Sequence, residues 1–163
     1  MYRNEEQIYP EVVAWFSTFL REKNRDSSVE VYITARISLW RFLQQKGLHL
    51  VFPDYSTYDI KVDITGIIQA TGTARLAFVE CKLRPITLRD VAQLLGYSRV
   101  ARPAYAFILS PSGVSPAINT LLVSYRRFDV LEYDKSKRIR IATWNKDRRE
   151  IDYATLLPPG EHF

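Results

Sequence analysis

The chain has 163 residues, 47% of them apolar, and a formal charge of +5 with an isoelectric point near 9.4. That length suits one domain with a sizeable core, and no apolar run approaches the ~18 residues of a membrane span. The single cysteine, Cys81, excludes an intramolecular disulfide and any four-cysteine zinc or iron–sulfur site. With no signal-peptide pattern at its start the sequence reads as cytoplasmic. Its 16 arginines against 7 lysines suit a polyanionic partner gripped by bidentate contacts.

In chain order, residues 8–20 carry apolar side chains at 8, 12, 15, 16, 19 and 20, the spacing of a helix with one buried stripe. Glu11 lies roughly 90° from the centre of that stripe. It fits either a solvated first-turn glutamate after Pro10, favourable with the helix dipole, or a site-facing acid. Residues 29–34 read as a short strand, and 37–45 as a helix ending near Gly47. Residues 58–82 then give two β-branched and aromatic runs around Ala70-Thr71-Gly72-Thr73, a hairpin signal.

Thr87, with Asp90 three residues on, opens a helix through a variant of the capping box. Leu88, Val91, Ala92 and Leu95 are its expected core face, while Arg89, Gln93 and Tyr97 follow one another at helical spacing on the other side. A strand at 104–109, a loop at Ser110-Pro111-Ser112-Gly113 and a helix at 115–126 come next. Residues 130–133 and 139–144 read as a final hairpin joined at 134–137, and 157–163 as a loose tail. Lys135, Lys137, Arg138, Arg140, Lys146, Arg148 and Arg149 crowd this region around Trp144. Such a pattern suits a solvated edge guarded against further pairing, or nucleic-acid contact. His49 and His162 have no ligand-spaced partner and belong to no site. Helices alternate with strands, so the fold class is α/β.

The hairpin carries the chemistry. With its turn centred between Thr71 and Gly72, paired residue numbers sum to 143, so Asp63 faces Glu80 and Lys61 faces Lys82. Alternation then keeps Glu80 and Lys82 on one face. An isolated Glu-x-Lys on a strand is ordinarily a solvated pair. Here Ile60, Val62, Ile64, Ile67 and Ile68 on one run, with Leu76, Phe78 and Val79 on the other, describe a sheet covered on both faces. Charges are seldom buried in such a place without a partner. Two carboxylates, with the backbone carbonyl of Cys81, suit Mg²⁺ or Mn²⁺. Such an ion acidifies a bound water and stabilises charge on a phosphodiester, and a neighbouring lysine can position or deprotonate that water.

Asp63, the 16 residues after it, and Glu80-Cys81-Lys82 resemble the core motif of the PD-(D/E)xK nuclease superfamily. Val62 stands where that family often has proline. Gln93-Leu94-Leu95-Gly96-Tyr97 is similar to the Q-x-x-x-Y element of its RecB-like branch, here without the cysteines of an iron–sulfur cluster. The resemblance covers about residues 5–110. It implies a restriction-endonuclease-like core: a central mixed β-sheet with an antiparallel hairpin carrying the active site, flanked by helices. A C-terminal helix and basic hairpin at 115–145 complete a single domain.

The resemblance further implies Asp63 and Glu80 as ligands for Mg²⁺ or Mn²⁺, Glu11 as an assisting acid, Lys82 acting on the attacking water, and Gln93 steadying Lys82 or that water. Arg84, Arg89, Tyr97, Arg99 and Arg102 are then the expected nucleic-acid contacts, arginine pairing with phosphate and tyrosine stacking on a base. The expected function is metal-dependent hydrolysis of phosphodiester bonds in DNA, in repair, recombination or defence. Two other readings fit the same residues: a catalytically inactive nucleic-acid-binding or complex-forming module of this fold, and a subunit active only with its partner. A homodimer is compatible with the sequence, but no interface is marked in it.

Overall fold

The computed structural model describes residues 1–160 and 163, so His162 lies outside the described residues. In chain order the elements are helix α1 (Tyr9–Lys23), strand β1 (Ser28–Ile33), helix α2 (Leu39–Gln45), strands β2 (Ile64–Ala70) and β3 (Thr73–Cys81), and helix α3 (Leu88–Ala101). Strand β4 (Tyr105–Ser110) and helix α4 (Pro116–Asn119) follow, then β5 (Glu132–Asp134), β6 (Lys137–Arg138), β7 (Arg140–Asn145) and β8 (Glu150–Leu157). Six strands form one mixed sheet in the order β1-β2-β3-β4-β7-β8, and β5 pairs with β6 alone. The class is α/β, with helices on both faces of the sheet.

The hairpin has the register read from the sequence. Ile64 pairs with Val79, Gly66 with Ala77 and Ala70 with Thr73, each pair summing to 143. Thr71 and Gly72 make the two-residue turn, Gly72 at φ +74°, where glycine carries no steric cost. On one face α1 packs Val12, Phe16 and Leu20 against Ile64, Val79, Phe107 and Trp144. It crosses β2 at Gly66, where a methyl group would stand 2.6 Å from Leu20 Cδ1. On the other face α2, α3 and α4 supply Leu39, Phe42, Val91, Leu94 and Ile118 against Phe78, Ile108 and Ile141. Strands β3, β4 and β7 run parallel, so their C-terminal ends meet at one end of the sheet.

The structure departs from the sequence reading in several places. The ladder starts at Ile64, so Lys61 does not face Lys82. The carbonyls of Val62 and Asp63 are taken by Thr34 Oγ1 at 2.6 Å and Thr34 N at 2.8 Å, and that of Ile60 by Leu39 N at 2.8 Å, which draws this segment off toward α2. The buried face of α3 is Val91, Leu94, Ser98 and Ala101 together with Asp90, while Leu88 is exposed. Two polar residues on the inner face had masked the apolar period.

Residues 120–124 continue α4 as a π-helical turn rather than an α-helix. The expected hairpin of 130–133 with 139–144 is present only as the short β5–β6 pair, while residues 140–145 join the main sheet as β7 and make a second hairpin with β8, turning at 146–149. Strand β8 occupies most of the stretch before the expected tail. Its register shifts at a bulge between Ile141 and Thr143, so its buried residues, Ile151 and Leu156, fall five apart and hide the strand's period of two. Arg140, read as part of a basic patch, is buried. Its guanidinium donates to the carbonyls of Pro158 and Gly160, both at 2.6 Å, and lies 4.4 Å from the Phe163 ring centroid.

Candidate active site

Strand alternation puts Glu80 beside Phe78 on the α3 face, and the residue is 6% exposed. Asp63 immediately precedes β2 and terminates the ladder with its side chain: Oδ2 accepts the Cys81 N–H at 2.8 Å, while Oδ1 accepts the Tyr9 hydroxyl at 2.9 Å. The Asp63 carboxyl is close enough for its charge to act on Glu80. Burial, and then the charge of Asp63, hold Glu80 well above the usual carboxylate range, with Lys82 opposing the shift. Lys82 is half-buried at the end of β3, its N–H on the Leu109 carbonyl at 2.8 Å.

A glutamate does join this patch, but it is Glu5 rather than Glu11. Glu5 sits in the single turn before α1, where burial raises its carboxyl and Lys82, Asp63, Arg84 and Asp90 all act on it. Glu11 is two residues past Tyr9, roughly 200° around the helix, and its carboxylate is bound by the Tyr2 hydroxyl and faces Arg149 at 3.8 Å. Tyr9 and Glu5 were both missed in the sequence. Tyr9 had a usable signal, since a tyrosine on a buried helix face needs a partner for its hydroxyl; Glu5 had none.

Of the other expected residues, Gln93 donates to the Tyr97 hydroxyl at 3.2 Å and not to Lys82. Arg84 is committed to α3: it forks onto Asp90 at 2.7 and 2.8 Å, and Asp90 in turn accepts the Thr87 N–H at 2.9 Å. Burial works against the Asp90 carboxylate, but Arg84 and Thr87 outweigh it and hold the carboxyl down to about 2. Arg89 is exposed in the first turn of α3. Arg99 and Arg102 lie at the far end of that helix, Arg102 as its left-handed cap, about 20 Å from Thr87 at ~1.5 Å per residue.

Two expected outcomes arise here. Asp90→Asn should cost about 1–2 kcal/mol, lowering the thermal midpoint by roughly 2–8 °C, because Arg84 loses its partner and α3 its cap. The stabilisation is complete above the unfolded carboxylate pKa near ~4. It is lost as pH falls toward about 2, where calorimetry should find the two proteins alike. Tyr9→Phe should cost about 1 kcal/mol, or roughly 2–4 °C, by leaving Asp63 Oδ1 without its donor. A midpoint equal to wild type would mean the Tyr9 bond holds nothing in place.

Among the described residues no group of three His, Cys, Asp or Glu side chains surrounds one point. One or two carboxylates are what Mg²⁺ ordinarily takes from a protein, with the balance from water and substrate, and Asp63 and Glu80 are of that type. No helix among the described residues is long and apolar enough to cross a membrane.

No family model and no curated protein matches the chain. Among solved structures it is similar to the MspJI restriction endonuclease in complex with a 27-mer oligonucleotide, at a TM-score of 0.44 and 11% identity. The match covers 84% of this chain and 26% of that one, so the chain spans about a quarter of its length. At that score nothing about this chain's chemistry follows from the likeness.

Proposed function

We propose that this chain is a metal-dependent phosphodiester hydrolase of the restriction-endonuclease-like type, acting on DNA. The observation that carries the reading is the buried Glu80 carboxyl held against Asp63 at the sheet's end, with Lys82 two residues along. A buried acid without a cation beside it weakens a fold unless it serves a use.

Asp63 and Glu80 would hold Mg²⁺ or Mn²⁺, with the Cys81 backbone carbonyl as a further oxygen. Bound there, the ion supplies charge stabilisation for the phosphodiester and a more acidic water. Each Asp63 oxygen accepts one bond and keeps a lone pair, while Tyr9 and the Cys81 N–H fix its direction. Lys82 donates to and orients the attacking water. Glu5, close to Lys82 and Asp63, adds an acid on the N-terminal side. Arg89 and the Gln93–Tyr97 pair give α3 an exposed polar stripe to guide the strand, and that pair supports membership of the RecB-like branch.

The second reading, a catalytically silent binding module of the same fold, is favoured by one observation: both Asp63 oxygens already serve the fold. Purified protein with labelled linear, circular and junction DNA, in Mg²⁺, Mn²⁺ or EDTA, separates the two. Cleavage that requires the metal supports the hydrolase. Intact DNA throughout, with no metal binding by calorimetry, supports the silent module.

A further inference from the structure

The turn joining β7 to β8 has a composition the sheet does not require. Lys146, Asp147, Arg148 and Arg149 form it, and all four are exposed. Asn145 Oδ1 fixes its shape by accepting the Asp147 and Arg148 N–H groups at 3.1 and 3.0 Å. Arg149 stands at φ +55°, a conformation that glycine or asparagine adopts with less strain. Backbone geometry therefore argues against arginine there. Its charge faces Glu11 at 3.8 Å, a loose pairing.

The turn's place is as informative as its charge. Cys81 is level with Leu109, and Leu109 with Ala142. Asn145 is three residues beyond Ala142, so the turn rises about 10 Å past the level of Cys81 at ~3.3 Å per residue. Strand β7 is two neighbours from β3, which sets the turn about 10 Å to one side. Ligands of open α/β sheets bind outside the carboxyl ends of the parallel strands, and Glu80 and Lys82 mark that end of β3. The N-terminal segment bridges the gap: Tyr2 accepts from Trp144 Nε1 at 3.2 Å, and its ring lies 5.9 Å from Lys146 Nζ.

We propose that the 146–149 turn is a backbone clamp for duplex DNA, gripping phosphates about three base pairs from the bond presented to Glu80 and Lys82. The spacing follows from the ~3.4 Å advance of duplex DNA per base pair along the ~10 Å sideways offset between β3 and β7. This rests on the hydrolase reading of the site and assigns its substrate a length and a direction. Arg148 and Arg149 offer planar forks that pair with phosphate, and Lys146 adds a point charge.

The test is fluorescence anisotropy of a labelled DNA duplex across a salt series, with Ca²⁺ as a non-cleaving cation. Three proteins are compared: wild type, the triple variant K146A/R148A/R149A, and R21A/R25A. Arg21 and Arg25 are exposed near the opposite end of the sheet, where Asn24 meets Arg75. The triple variant should bind roughly 10–100-fold more weakly and lose two to three units of salt slope, at ~0.9 per phosphate released. R21A/R25A should change neither, and equal thermal midpoints should show all three folded. A triple variant that binds like wild type with the same slope overturns the clamp and leaves the hydrolase standing. A wild type that binds no nucleic acid overturns both, and one that binds only single strands overturns the duplex assignment.

Discussion

Lys82→Ala is expected to cut DNA some 10²–10⁴ times more slowly than wild type in single turnover, the usual worth of a positioned acid–base group. The side chain is half-buried at the end of β3, and its charge is felt by both Glu80 and Glu5. Its backbone N–H stays on Leu109 whatever the side chain, so the strand should not fray. The proposed cation ligands Asp63 and Glu80 are unchanged and the proposed phosphate contacts lie on other residues, so DNA affinity should change little. Rapid-quench measurement at saturating protein isolates the chemical step. Equal rates would make Lys82 an ordinary strand lysine and the assigned mechanism wrong.

Glu80→Gln should abolish cleavage and the response to Mg²⁺, yet stabilise the metal-free protein at and above neutral pH. The Glu80 carboxyl is raised, first by burial and then by Asp63, so the folded chain holds this proton more tightly than the unfolded one. Its contribution to stability is therefore complete below the unfolded value near ~4.3 and is lost as pH rises through the folded value. Glutamine keeps the shape and does not titrate. The wild-type midpoint should fall as pH rises from about 5 into the alkaline range, opening a gap from the variant of roughly 5 °C or more. Mg²⁺ should close that gap by binding the native state of wild type alone. Midpoints that stay parallel across pH would mean that the Glu80 carboxyl is not raised in the fold, and would remove the argument for a cation there.

The hairpin was the most legible part of the chain because three local signals agreed: the Thr71-Gly72 turn, β-branched runs on either side, and alternation that fixes register once one face is buried. Asp63 lies one residue before the first ladder pair and meets β3 through its side chain on the Cys81 N–H. Features set by distant contacts were not legible. The Asp90–Arg84 fork buried a charge on the inner face of α3 and turned that face away from the apolar pattern. A bulge broke the period of β8, and Arg140 disappeared beneath residues some twenty positions later in the chain. Glu5 reached the site through the path of an N-terminal turn that no periodicity describes.

Asp63 and Glu80 differ in what the fold would miss if either were lost, and that difference has an evolutionary consequence. Asp63 closes a strand ladder and anchors a tyrosine, so a lineage that abandoned chemistry would still be held to an acceptor at that position. Glu80 gives the metal-free fold nothing that a leucine or glutamine would not improve. Drift without selection for activity would erase Glu80 first. Among descendants of such a protein, the residue at position 80 is thus the better record of whether catalysis persisted.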